Sequence, residues 1–171
     1  MAIAASDINL RISGGASVTD PNLALGGAMS TVAGGIITSD TLNNDMDDIT
    51  SSEASAGITI YHGYYYENNH GSLTYIGPKF YIASQTSSGD TSVEVAIADE
   101  AKNTAIETIA DEETAPSGPA FSTPANFAAG IALGDLEASD YRGIWVKYIV
   151  GSSAAAVFDQ YTLGIQGDTN P

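Results

Sequence analysis

Between Ile58 and Ile82 the chain reads ITIYHGYYYENNHGSLTYIGPKFYI, two β-type runs around Glu67-Asn68-Asn69-His70-Gly71, and holds six of the nine tyrosines. Tyrosine, isoleucine and threonine suit a pleated, half-buried surface, and an Asn/His/Gly cluster between two such runs is a hairpin signal. The stretch is therefore expected to be a β-hairpin at the centre of a sheet. In the first run Ile58, Ile60, His62, Tyr64 and Tyr66 point one way, while Thr59, Tyr61, Gly63, Tyr65 and Glu67 point the other. Aromatics on both faces require both to be covered. One cover is the rest of the domain; the other is a loop of the same chain or a neighbouring subunit, since tyrosine joins an apolar body to a polar tip. Tyr61, Tyr64, Tyr65 and Tyr66 are candidate interface residues on that ground.

The remaining strands repeat this pattern at short spacing. Ile8, Leu10 and Ile12 alternate with polar neighbours, the signature of a strand with one buried face. Pro78 breaks the second run and predicts an edge, a bulge or a bend. Val93, Val95 and Ile97 mark another strand, and Ile106 to Ala110 another short element. Asp111-Glu112-Glu113 reads most simply as a solvated turn, the alternative being that its carboxylates hold a cation, ahead of a link through Pro116, Pro119 and Pro124. In the final third, Ile131 and Leu133 lead through a turn to Ile144, Val146 and Tyr148, which oppose Trp145, Lys147 and Ile149. The one tryptophan is expected to anchor a core, and Tyr161, Leu163 and Ile165 to form a closing strand. Strands of this length separated by turns predict an all-β fold, an antiparallel β-sandwich of immunoglobulin-like or jelly-roll-like type over residues 58–171. At 171 residues one domain is expected, burying about 70% of its unfolded surface.

Residues 1–57 read differently. After the first strand, Gly14-Gly15, Gly26-Gly27 and Gly34-Gly35 interrupt a small-residue run in which Val32 and Ile36-Ile37 stand out. That is more irregular chain than a compact domain usually carries. It is either an arm that docks on something else, with Ile36 and Ile37 as contact residues, or a long insertion packed on its own domain. Within it Ser39 or Asp40 is a candidate cap for one short helix carrying Leu42, Met46 and Ile49. Asn43, Asp45, Asp47, Asp48 and Glu53 raise a calcium hypothesis, but the mid-loop glycine of an EF-hand is missing; a solvated acidic helix end is the simpler reading.

Charge and chemistry narrow the function. Five cations against 21 carboxylates give a net charge of −16, which repels phosphates and disfavours nucleic-acid binding. Such a surface keeps a protein soluble at high salt and high local concentration. With no cysteine, disulfides, thiolate metal sites and cysteine catalysis are excluded. The first 13 residues lack the features of a secretory signal, and no run approaches the roughly 18 apolar residues of a membrane span, so a soluble protein made in the cytoplasm is expected. No nucleophile elbow, phosphate-cradling loop, zinc motif or dinucleotide fingerprint is present. His62 and His70 lack a placed third ligand and read as structural. No catalytic residue, metal ligand or cofactor is assigned.

Two resemblances complete the reading. LGDLEASDYRGIWVKYIV followed by YTLGIQGDT resembles the end of an immunoglobulin-like sandwich. NNHGSLTYIGPKFYI, DTSVEVAIADE, IETIADEETAPSGPAFSTP and the C-terminal segments together are similar to virion structural proteins of tailed bacteriophages, a group that includes capsid decoration, or cement, proteins. The resemblance implies a non-enzymatic protein on the outer capsid surface, partnered by the major capsid protein. The arm and the two-sided tyrosines want more partners than one domain offers, so a homo-oligomer, a trimer, is expected. The rival is a receptor- or glycan-binding module on a phage tail or cell surface, with Tyr61, Tyr64, Tyr65, Tyr66 and Trp145 stacking on sugar rings.

Overall fold

The tyrosine run forms the longest strand, β3 (Ile58–Asn68), and both of its edges are occupied. The computed structural model describes residues 2–41, 43–46, 48–155 and 159–169. Within them lie nine strands in three antiparallel sheets, with one short helix and several 3-10 turns. β1 (Ile8–Ile12), β3, β8 (Tyr141–Val150) and β5 (Thr91–Ile97) form a four-stranded sheet in that order. β7 (Ile131–Ala132), β4 (Tyr75–Ser84) and β9 (Thr162–Thr169) form a three-stranded sheet opposite it. A small ribbon of β2 (Gly26–Gly27) and β6 (Ile106–Thr108) belongs to a third layer. The all-β sandwich is as expected.

The main core lies between the two larger sheets. Ile12, Tyr64, Tyr66, Val93, Val95, Ile144 and Val146 from one meet Tyr75, Phe80 and Ile82 from the other, with Leu133 and Leu136 closing the side. A second core occupies the opposite face of the four-stranded sheet, where Tyr65 and Trp145 pack with Met29, Ala98, Ile106 and Ile109. Trp145 thus anchors the second core, on the far face from Ile144 and Val146, as alternation along β8 requires.

The expected hairpin at residues 67–71 is not one. β3 and β4 belong to different sheets, so the chain turns there from one layer of the sandwich to the other. With β1 and β8 flanking β3, no edge is left for β4 to pair with. Asn68 fixes the crossing: its buried side-chain amide donates to the carbonyls of Leu73 at 2.8 Å, Leu136 at 2.9 Å and Glu137 at 3.2 Å. His70 serves the same turn, its Nδ1 accepting from the amides of Ser72 and Leu73.

The irregularity expected at Pro78 is a bulge. The register of β4 against β9 slips between Ile76 and Lys79, and Gly77 there has φ +56°. Tyr75 and Phe80 are an odd number of residues apart, so strict alternation would place them on opposite faces. The bulge resets the phase and turns both into the core.

The helix is α1 (Ser51–Ala56), not one capped at Ser39 or Asp40. Asp40 and Asn43 adopt φ of 58° and 55°, which a right-handed helix cannot contain. The start signal is a capping box: Thr50 Oγ1 accepts from the Glu53 amide, and Glu53 accepts from the Thr50 amide at 2.7 Å. Met46 is buried in the main core and Ile49 packs beside Ile58 and Ile60, while Leu42 and Asp47 lie outside the described residues.

Of the two readings of residues 14–57, the structure takes the insertion packed on its own domain. The segment wraps the sandwich through backbone hydrogen bonds: Ser30 to Ile12, Ile37 to Leu10, and Gly63 to Ala24. Arg11, nearly buried, pairs with Glu67 at 2.5 Å and points Nη1 at the carbonyls of Ser30 and Val32. A buried cation needs such partners, and Arg11 uses them to hold the wrap against β1.

The wrap and the loops also close the sheet edges. Ser13, Ala24 and Glu112 bond to β3 beyond the reach of β1. Along β5, Ser122 exchanges two backbone bonds with Val95, Thr86 Oγ1 donates to Thr91 O, and the Gln85 side chain bonds both backbone groups of Val93. Capping edges in this way guards against sheet-to-sheet association.

Candidate functional site

The residues richest in chemistry gather where the wrap crosses β3. His62 is fully buried, its Nδ1 2.8 Å from the Asp45 carbonyl and 3.2 Å from the Tyr64 hydroxyl. The Tyr64 hydroxyl donates to the same carbonyl at 2.7 Å, and the Tyr161 hydroxyl donates to the Asp45 carboxylate at 2.5 Å. From the other side, Glu112 brings a carboxylate oxygen to 3.5 Å from His62 Nε2, an atom that makes no hydrogen bond. Burial, and next the Asp45 charge, push the Tyr64 and Tyr161 phenols well above their usual range. Both therefore stay protonated donors at neutral pH.

Asp45 is the hub that joins the wrap to β3 and to the entry of β9, and its carboxylate is committed to Tyr161. The acidic segment expected either to end a helix or to hold calcium is thus divided among separate tasks. Glu53 caps α1, Asn43 reaches Asp48 at 3.4 Å, and Asp47 lies outside the described residues. Among the described residues no group of His, Asp and Glu is placed to hold a metal ion.

The six interface candidates separate into two sets. Tyr64, Tyr65 and Tyr66 are buried within the chain. Alternation sends Tyr64 and Tyr66 into the main core, where the Tyr66 ring lies 5.9 Å from that of Phe80, and Tyr65 into the second core, edge-on to Tyr141. They offer no surface to a partner, because the opposite sheet covers Tyr64 and Tyr66 while the wrap and the ribbon cover Tyr65. Tyr61, Ile36 and Ile37 are half-buried. Tyr61 stands edge-on to Phe121 at 5.6 Å, beside Lys147, whose ammonium lies 5.8 Å over Phe121 and 2.9 Å from Glu94. Ile36 bridges to Arg11, and Ile37 bonds to Leu10.

Tyr65 has a task that its sequence position does not show. Its hydroxyl accepts from the Ile106 amide at 2.9 Å and donates to the Gly27 carbonyl, clamping β6 and β2 together from below. Ile106 in turn sits over two glycines: a Cβ on Gly63 would lie 2.6 Å from its Cδ1, and one on Gly143 would overlap its Cγ2. The signal available in the sequence was glycine inside two strand patterns, which marks a close approach.

Two hollows lie elsewhere. One of about 250 Å³ is lined by Ser52, Glu53, Gly57, Ile58 and Glu113. The other, about 290 Å³, opens at one end of the sandwich between Ile3, Ile8, Tyr75, Ile165, Gly167 and Thr169. Neither is lined by His62, Tyr64, Asp45 or Tyr161. The polar cluster holds three segments together, the wrap at Asp45, β3 at His62 and Tyr64, and the entry of β9 at Tyr161. Among the described residues no helix is long and apolar enough to cross a membrane. No family model, no curated protein and no solved structure matches the chain.

Proposed function

We propose that the chain is a non-enzymatic virion structural protein that binds and stabilises the outer surface of a tailed-phage capsid, with the major capsid protein as its partner and the host cytoplasm as its place of synthesis. The observation that carries the reading is where apolar surface remains. Three large apolar side chains stand exposed among the described residues: Leu23 (51%), Val32 (36%) and Phe127 (41%). Leu23 and Val32 both lie on the wrap. Arg11 and the backbone bonds to β1 hold that wrap in place, so its contact residues are ordered before any partner arrives, which lowers the entropic cost of docking. The net charge of −16 gives the solvent-facing remainder the solubility needed when many copies crowd one shell.

Deleting the first 40 residues is a poor test, because it removes β1 and uncovers the edge of β3. Leu23→Glu with Val32→Glu leaves both intact. With undecorated capsids, co-sedimentation of this variant is expected to fall at least about tenfold, since truncating central interface anchors costs on the order of 1–2 kcal/mol each. Undiminished binding by a variant with an unchanged melting curve would sink the wrap's role. The glycan-binding rival retains little support: of its five stacking candidates, Tyr64, Tyr65, Tyr66 and Trp145 are interior, leaving Tyr61.

A further inference from the structure

Among the described residues β9 is the long edge that the fold leaves uncovered. Its partner on one side is β4, and no backbone hydrogen bond from another described residue reaches its other side. The other exposed edges are shielded by Gln85, Thr86 and Ser122 on β5 and by Ser30, Ile36 and Ile37 on β1, or are only two or three residues long. Natural edge strands are usually guarded by charge, proline or brevity. From Gln160 to Gly167 the sequence QYTLGIQG has neither a charge nor a proline.

We infer that β9 pairs with β9 of a second copy, antiparallel about a two-fold axis at Ile165, joining two three-stranded sheets into one continuous sheet. The register is self-complementary. It sets Ile165 opposite itself, Gly164 opposite Gln166, Leu163 opposite Gly167 and Thr162 opposite Asp168, so no like charges face each other. It also fills a hole. Cross-strand neighbours share a face, so Leu163 of the partner subunit lands beside Gly167, over the 290 Å³ hollow lined by Ile3, Tyr75, Ile165 and Thr169. Gly167 has no room for a side chain of its own, because a Cβ there would lie 2.9 Å from the Tyr75 ring. A ring closed by strand pairing alone would need two different open edges per subunit, and among the described residues there is one long one. Strand pairing therefore favours a dimer over the trimer expected from the sequence. The inference does not depend on a capsid: it concerns the free protein, and its failure leaves the docking of Leu23 and Val32 to be judged separately.

Thr162 is exposed and tests the register without touching the core. Sedimentation equilibrium of the full chain should show a monomer–dimer equilibrium. Thr162→Asp places two like-charge pairs against Asp168 in each dimer and should raise the dissociation constant roughly tenfold, whereas Thr162→Lys creates two attractive pairs and should lower it, with both effects shrinking in salt. Circular dichroism confirms that each variant is folded. A protein that stays monomeric at millimolar concentration overturns the inference, as does a trimer or a dimer whose affinity ignores both substitutions.

Discussion

The side chain of Gln85 bonds Val93 as a strand would: Oε1 accepts from the Val93 amide at 2.9 Å, and Nε2 donates to the Val93 carbonyl at 2.6 Å. One amide group thereby takes the place of a tenth strand at the edge of β5. Ser122 repeats the pattern two residues along, at Val95, with its backbone.

Replacing Gln85 with alanine removes both bonds but lets water reach the freed groups, since Gln85 lies at the surface. The stability loss in urea unfolding is therefore expected to be small, about 1 kcal/mol. The larger effect should be on association: light scattering of concentrated Gln85→Ala should rise above that of the parent as the β5 edge opens. Unchanged scattering would mean that Ser122 and Thr86 guard the edge alone.

At Gly143 a methyl group has nowhere to go while Ile106 is present. Gly143→Ala should cost about 1–3 kcal/mol by overpacking. Ile106→Ala alone should cost about 2–5 kcal/mol through the cavity it leaves. The double variant should be more stable than the sum of the two losses allows, and a thermodynamic cycle measures the difference. Strict additivity would show that Ile106 does not fill the socket between Gly63 and Gly143.

Tyr65 gives the fold an alkaline limit. Burial, only partly offset by the hydrogen bond from the Ile106 amide, pushes its hydroxyl from 10.0 up to about 12. A raised value for a buried phenol means that the folded state holds the proton more tightly than the unfolded one. The resulting stability is complete below pH 10 and drains as pH rises from there through about 12. Absorbance at 295 nm should show late tyrosine ionisation coinciding with loss of circular dichroism. Tyr65→Phe, which strands the Ile106 amide and the Gly27 carbonyl, should cost about 1–3 kcal/mol at neutral pH.

Local features of the fold are legible in the sequence. The alternation of Ile8 to Ile12, the tyrosine run, Val93 to Ile97 and Ile144 to Ile149 placed β1, β3, β5 and β8, because period two is a property of neighbouring residues. The slip at Pro78 was legible for the same reason. Which strand pairs with which was not: Asn68 sends the chain to the opposite sheet through carbonyls up to 69 residues away. Thr50-Ser-Ser-Glu53 spells the capping box, but the helix it opens, SSEASA, carries no large apolar side chain to set a helical period, so apolar spacing points to the wrong segment. The polar cluster escaped notice because Asp45 and Tyr161 are 116 residues apart. Burial of Tyr64, Tyr65 and Tyr66 follows from the same kind of distant cover, supplied by Gly27, Met29 and Ile106 on one face and by Phe80 on the other.

The strand order has a consequence for the time course of folding. β8 lies between β3 and β5, which precede it by about 80 and 50 residues and do not pair with each other. During synthesis neither has its central partner until the ribosome has passed Val150. Contacts this far apart in sequence form slowly, and hydrophobic strands lie open while they wait. Folding of this chain should therefore be a late, all-at-once event triggered by the arrival of β8, and chaperones would have their longest opportunity just before it.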